Sequence, residues 1–185
     1  MKRLILFSFA FCFINFTFSQ NNENNKKQSL AYGIKAGYNG IQIKIVNETS
    51  DYIQKDAGVY VGGFVNIPTS EGGSIQTELI YSSSRYNSRD NLELLHLPAS
   101  YRFTLSNDFS GFIGTEAQYL LGVGNIENSY FNDLMFGFFF GASYKITPQI
   151  HIEARPYFSF TKLLENGPTE HRRLNTLQIG LAYQF

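Results

Sequence analysis

The stretch Phe136-Gly137-Phe138-Phe139-Phe140-Gly141-Ala142-Ser143-Tyr144-Lys145-Ile146 decides the fold. Taken alternately, Phe136, Phe138, Phe140, Ala142, Tyr144 and Ile146 share one face, and Gly137, Gly141, Ser143 and Lys145 the other. Strand side chains alternate with period two, so this segment reads as a strand with one bulky apolar face and one small or charged face. The same division recurs nearby. Leu95, Leu97, Ala99, Tyr101, Phe103 and Leu105 oppose His96, Ser100 and Arg102; Ile150, Ile152, Ala154, Phe158 and Phe160 oppose His151, Glu153, Arg155 and Ser159; Leu177, Ile179, Leu181, Tyr183 and Phe185 oppose Thr176, Gln178, Gly180 and Gln184.

Working outward, eight such segments follow one another at residues 30–38, 57–67, 74–82, 92–105, 109–121, 133–146, 149–160 and 174–185, with no amphipathic helical stretch between them. Their connections alternate in length. Long ones cover about 39–56, 83–91, 122–132 and 161–173; short ones lie near 68–73, 106–108 and 147–148. The fold class expected is therefore all-β: an eight-stranded antiparallel up-and-down barrel with long loops at one end and short turns, plus both termini, at the other. The alternating stretch Ile41 to Ile45 extends the first hairpin, and Pro98 and Pro156, which fall inside strands, call for bulges.

A barrel of this pattern is either soluble, with its apolar face inward, or lipid-facing, with the reverse. Eight strands enclose an interior just wide enough for side chains to fill. Phe136, Phe138, Phe140 and Tyr144 on one strand would overfill it, whereas the glycine- and charge-bearing face fits. The transmembrane arrangement follows, with lipid as the surrounding partner. Tyr38, Tyr81 and Tyr119 at one set of strand ends, and Tyr101, Phe103, Tyr144, Tyr183 and Phe185 at the other, form the interfacial girdles.

The first residues agree. Met1-Lys2-Arg3 and the apolar run Leu4 to Phe18, closed by Ser19, form a secretory signal peptide over 1–19, shorter than a spanning helix. Residues 20–28, QNNENNKKQ, read as a polar spacer, and 29–185 as the barrel domain. The single cysteine, Cys12, leaves with the leader, so no disulfide or thiolate metal site is expected in the mature chain. With 15 basic and 15 acidic residues, the chain lacks the basic surplus of a nucleic-acid binder.

The chain resembles the PorT-like small outer-membrane barrels of Bacteroidetes, which look like the eight-stranded OmpX and OmpA barrels. The resemblance covers nearly the whole mature chain. It rests on Gly33-Ile34-Lys35-Ala36-Gly37-Tyr38-Asn39, Gly58-Val59-Tyr60-Val61-Gly62-Gly63-Phe64, Glu78-Leu79-Ile80-Tyr81-Ser82, Leu95-His96-Leu97-Pro98 and the closing Gln178 to Phe185. Where the family continues its third strand with glycine, this chain has Ser82-Ser83-Ser84-Arg85. Membership implies an outer-membrane location in a Gram-negative bacterium and this fold, with secretion or surface roles for some members; the alternation of long and short connections puts both termini in the periplasm. The terminal Phe185 is similar to the signal read by the outer-membrane insertion machinery.

Parity assigns a lumen charge network to Lys35, Glu78, Arg102, Glu116, Lys145, His151, Glu153 and Arg155. Uncompensated buried charge is costly, so these groups are expected to pair and plug the barrel. No enzyme is expected: His151, Glu153 and Ser159 all point inward from one strand, and His96 and His171 have no evident acid partner. Three scattered histidines make no metal site, and no cofactor is implied. The favoured function is anchoring and interaction with a surface or secretion-system protein through the long loops, Tyr86, Tyr130 and Phe131 being the aromatic contact candidates. A porin-like barrel conducting ions or small solutes is the alternative.

Overall fold

The computed structural model describes residues 30–46, 51–70, 72–86, 90–124, 131–166 and 170–185. The leader, the spacer and Tyr130 lie outside the described residues. Nine strands follow in order: β1 (Ala31–Val46), β2 (Asp51–Ser70), β3 (Gly73–Arg85), β4 (Asn91–Thr104), β5 (Phe109–Val123), β6 (Leu134–Lys145), β7 (Ile150–Ser159), β8 (Leu164–Asn166) and β9 (Glu170–Gln184). Every pairing is antiparallel; β1 to β7 pair consecutively, β7 pairs with β9, and β9 closes onto β1 from Gly33↔Gln184 to Val46↔His171. β8 pairs only with the start of β9, so the wall has eight strands.

Short turns occupy one end. Ser106 Oγ accepts from the Phe109 amide at 3.2 Å, and Thr147 Oγ1 accepts from the amides of Gln149 and Ile150 at 3.3 and 3.0 Å. These hydroxyls satisfy turn amides locally. The Phe185 amide donates to Tyr32 O at 3.0 Å, tying the last residue to the first strand. Ile41 to Ile45 belong to β1, which keeps its pairing with β2 out to Val46↔Asp51.

The bulges expected at Pro98 and Pro156 are not there. The β3–β4 ladder skips from Thr77↔Ala99 to Ile80↔His96, and the β6–β7 ladder from Phe139↔Tyr157 to Ala142↔Ala154, each without a change of register. Each proline keeps its place on the opposite side, against Glu116 and Leu177 respectively. The ring removes a donor, and the strand gives up bridges on one side instead of inserting a residue. The recorded irregularities fall between Pro68 and Ser70 and between Glu93 and Leu94.

Inside and outside follow parity along β1, β4 and β9, and on β5 parity changes once, between Leu120 and Val123, at the register shift opposite Glu93 and Leu94; polarity, however, changes along the strands. On β1 the outward residues are Tyr32, Ile34, Ala36 and Tyr38, then Gln42 and Lys44; the inward ones are Lys35 and Asn39, then Ile41, Ile43 and Ile45. On β4 the outward order is Asn91 and Glu93, then Leu95, Leu97, Ala99, Tyr101 and Phe103, while the inward order is Leu92 and Leu94, then His96 and Ser100. On β9 Arg173 gives way outward to Leu177, Ile179, Leu181 and Tyr183, as buried Leu174 gives way inward to Thr176 and Gln178. One line around the barrel thus separates a zone that is apolar outside and polar inside from a zone with the opposite arrangement.

Candidate functional site

The lumen has two packed layers. At the long-loop end, Ile41, Ile43 and Ile45 of β1, Leu92 and Leu94 of β4, Leu120 and Val123 of β5, Met135 of β6 and Leu174 of β9 converge with Tyr86, Phe131 and Leu163. Ile43, Leu92, Val123, Met135, Leu163 and Leu174 have no exposed surface. Described residues that flank the connections are tied together beside this cluster: the Asn132 amide donates to Leu163 O at 2.9 Å, Asn132 Nδ2 to Lys162 O at 2.7 Å, and Arg172 Nη1 to Tyr86 Oη at 2.7 Å. Fully burying one such aliphatic side chain contributes about 1.5–3 kcal/mol.

Tyr86 and Phe131 are therefore not exposed contact residues. They are 5% and 8% exposed and pack edge to face with ring centroids 6.0 Å apart. Tyr86 continues the inward parity of Ser82 and Ser84 on β3. That parity was the signal for its burial.

Beneath the cap lies an ionic layer. Lys35 Nζ reaches Glu78 Oε1 at 2.9 Å and Glu153 Oε2 at 2.7 Å; Arg102 Nη2 reaches Glu153 Oε1 at 2.6 Å; Arg155 Nη1 reaches Glu78 Oε2 at 3.0 Å, and its Nη2 lies 3.4 Å from Glu116 Oε2. Three cations face three carboxylates. Neutral amides add to the bonding: Gln76 Nε2 donates to Glu78 at 2.6 Å, Gln118 Nε2 to Glu116 at 2.6 Å, and Arg155 Nε to Gln178 Oε1 at 2.7 Å.

Aromatic rings stand over the cations, at 5.4 Å for Lys35 on Phe64, 4.6 Å for Arg102 on Phe112 and 4.9 Å for Arg155 on Phe139. The interior thus holds large aromatics as well as the small and charged residues expected there. Glycine makes the room: a Cβ on Gly137 would lie 2.6 Å from the Tyr157 ring, and one on Gly141 2.5 Å from Phe112.

Of the eight residues assigned to the network, the structure joins Lys35, Glu78, Arg102, Glu116, Glu153 and Arg155. Lys145 stands apart at the short-turn rim, donating to Asn107 O at 2.6 Å with Asp108 3.6 Å away. His151 lines a 330 Å³ cavity that opens at the same end. Ser159, eight residues along the strand, does not turn to it but donates its hydroxyl to Thr161 O at 2.8 Å. Of the girdle residues, Tyr38, Tyr81, Tyr101, Phe103, Tyr144 and Tyr183 are exposed outward, and Tyr119 is half-buried. Phe185 is 64% exposed and lies against Tyr32 and Tyr183, with centroids 5.6 and 5.4 Å apart.

Sequence reading leaves His96 without an acid partner; the fold supplies one. His96 Nδ1 lies 2.7 Å from Glu116 Oε1, and His96 Nε2 lies 2.7 Å from Ser82 Oγ. The register His96↔Gln118 places Glu116 two residues along the neighbouring strand. Serine, histidine and carboxylate in line are the groups that activate a serine nucleophile. Here Ser82 and His96 have no exposed surface and Glu116 is 2% exposed, so the arrangement is closed to a substrate and acts as a buried chain of hydrogen bonds.

No curated protein matches the sequence significantly. Among solved structures, the chain is similar to Neisserial surface protein A (NspA), with 13% identity, 85% of this chain and 100% of that chain covered, and a TM-score of 0.54. It is similar also to Ail, the attachment invasion locus protein of Yersinia pestis, with 12% identity, 84% and 98% coverage, and a TM-score of 0.53. At these identities the likeness concerns the barrel fold. Residues 18–165 match the family model described as outer membrane protein beta-barrel domain, and β9 lies beyond the matched segment. By that match, which spans most of its length, the chain belongs to the outer membrane protein beta-barrel domain family and is an outer-membrane protein.

Proposed function

We propose that this barrel is a non-conducting, non-enzymatic anchor whose long-loop end faces the cell exterior and binds a protein partner of a surface or secretion assembly. The observation that carries the reading is the double closure of the lumen, dry and apolar at one level and ionic at the next. A barrel so filled has its outer rim left as its working surface.

That rim has one conspicuous feature. β2 pairs with β1 out to Asp51↔Val46 but with β3 only to Gly58↔Ser84, so among the described residues Asp51 to Ala57 carry a ladder on one side. A one-sided strand accepts another strand. Tyr52 and Ile53, half-exposed near its tip, replace Tyr86 and Phe131 as the contact residues. In the same reading residues 1–19 are a cleaved leader, both termini are periplasmic, the exposed tyrosines are the interfacial girdles, and Phe185 serves insertion, as in PorT-like barrels of Bacteroidetes.

The test uses intact cells. An impermeant thiol reagent should label Lys44→Cys and spare Ser106→Cys; reversed labelling would overturn the orientation. A photo-cross-linking residue at Tyr52 or Ile53 should give one discrete protein adduct that Asn107, at a short turn, does not give. Absence of any adduct from the rim would contradict the interaction reading.

A further inference from the structure

We propose that Lys44, Arg173 and Lys55 form a binding site for the phosphate headgroup of a membrane lipid at the long-loop edge of the wall. Lys44 stands directly opposite Arg173 in the β1–β9 ladder, and Lys55 directly opposite Gln42, the next residue along the outward face of β1. All three cations are exposed. Side chains directly opposite each other in an antiparallel pair have Cβ atoms about 4.5–5.5 Å apart, and like charges placed there are destabilising. The cations of the ionic layer each meet a carboxylate; on the outer wall the register sets two cations side by side.

Neighbouring acids relieve little of this repulsion. Asp51 Oδ2 lies 3.6 Å from Lys44 Nζ, with both side chains about half exposed, and such surface pairs contribute little. Arg173 and Lys55 take part in no ion pair among the described residues. An anion seated between Lys44 and Arg173 turns the repulsion into two charge-assisted contacts. Arg85, exposed at the end of β3, extends the positive sector, and the outward Glu93 of β4 borders it.

The position selects a lipid over a soluble anion. On β1 the outward residues run Ile34, Ala36 and Tyr38, then Gln42 and Lys44; on β9 they run Leu181, Ile179 and Leu177, then Asn175 and Arg173. The four residues from Gly40 to Lys44 span about 13 Å of strand, or about 9 Å along the membrane normal at a tilt near 45°. The headgroup layer is about 5–7 Å deep, and long basic side chains reach back into it along the wall. A lipid whose chains lie on Tyr38, Leu177 and Ile179 therefore brings its phosphate to Lys44 and Arg173. A phosphomonoester, which carries the larger charge, suits two cations better than a phosphodiester. The placement depends on the line around the wall and is the same whichever side of the membrane the long loops face.

The experiment counts lipids retained by the full chain, using native mass spectrometry after release from phosphatidylcholine nanodiscs that contain a minor fraction of phosphatidic acid. Phosphatidic acid should be retained over phosphatidylcholine by on the order of tenfold or more, relative to their shares of the bilayer. Arg173→Gln should lower that preference about fivefold, as expected for one cation near an anionic surface. Adding Lys44→Gln should abolish it, and Lys145→Gln, an equal loss of charge at the short-turn rim, should leave it unchanged. In pure phosphatidylcholine vesicles Arg173→Gln should raise the urea midpoint, because the facing cations no longer repel, and phosphatidic acid should raise the midpoint of the native chain more than that of the variant. No preference in the native chain, an equal loss in Lys145→Gln, or a lowered midpoint for Arg173→Gln in phosphatidylcholine would each overturn the proposal. So would displacement of the lipid by equimolar inorganic phosphate, which would mark a soluble-anion site, or by a soluble polyglutamate peptide, which would mark a protein contact.

Discussion

The apolar cap and the ionic layer occupy the same lumen, come from the same strands and share the same inward parity, yet their chemistry is opposite. Ile41, Ile43 and Ile45 sit on β1 immediately after Lys35 and Asn39, and Leu92 and Leu94 immediately before His96 on β4. The difference is explained by what surrounds each level. Where outward residues are Tyr, Ile, Leu and Phe, lipid solvates the wall, no hydrophobic drive pulls apolar groups inward, and polar groups find one another inside. Where outward residues are Gln42, Lys44, Glu93 and Arg173, water surrounds the wall and the interior is built like the core of a soluble domain. The line between them marks one edge of the membrane, near Gly40 on β1, Leu94 on β4 and Asn175 on β9. From there to the short-turn end each strand offers about ten residues, the length a tilted strand needs to cross.

The comparison can be broken in several places. Arg155→Leu removes the partner of Glu78 and Glu116 within the lipid-level layer and should destabilise the barrel by about 3–5 kcal/mol, read as a lowered urea midpoint in micelles. Adding Glu78→Leu should recover part of that loss, because a buried ion pair replaced whole is often neutral. In the cap, Leu92→Ala should cost about 2–5 kcal/mol in the same assay, while leaving the ionic layer's side-chain resonances in place.

On the outer wall, Ile34→Arg lies on the lipid side of the line and should cost about 2–4 kcal/mol. Ser82→Ala removes one hydrogen bond from the His96 chain and should cost about 1 kcal/mol; a fluorophosphonate probe should leave the native serine unmodified, and covalent labelling would contradict its closure. Gln42→Arg, with the same outward parity as Ile34 but beyond the line, should change stability by no more than about 0.5 kcal/mol. Equal losses for Ile34→Arg and Gln42→Arg would erase the boundary.

Much of the wall is legible from the sequence, because a period of two with turn residues at intervals is a strong signal. The alternation around Phe136 to Ile146 yields the lipid-facing side of β6 directly, and the unequal connections yield the two ends. What parity alone does not deliver is the change of chemistry along a strand. Ile41, Ile43 and Ile45 read as an extension of the hairpin, but their inward position matters only once Leu92, Met135 and Leu174 are known to meet them. Tyr86 and Phe131 look like loop aromatics because their partners lie in other connections. His96 lacks a visible carboxylate because its partner is set by the β4–β5 register, which runs unbroken from Thr104↔Ser110 to Leu94↔Leu120 and brings in Glu116 from 20 residues away. Inward Phe112 and Tyr157 are hidden for a related reason: the glycines that admit them, Gly141 and Gly137, lie on the neighbouring strand β6.

The interaction reading stands on a closed lumen, and planar-bilayer recording tests that closure most directly. Purified barrel reconstituted at low density should give no stable unitary current steps across the accessible voltage range, and neither should the Leu92→Ala variant, in which the ionic layer still closes the passage. Reproducible single-channel steps from the native chain would contradict the account and make conduction of ions or small solutes its function.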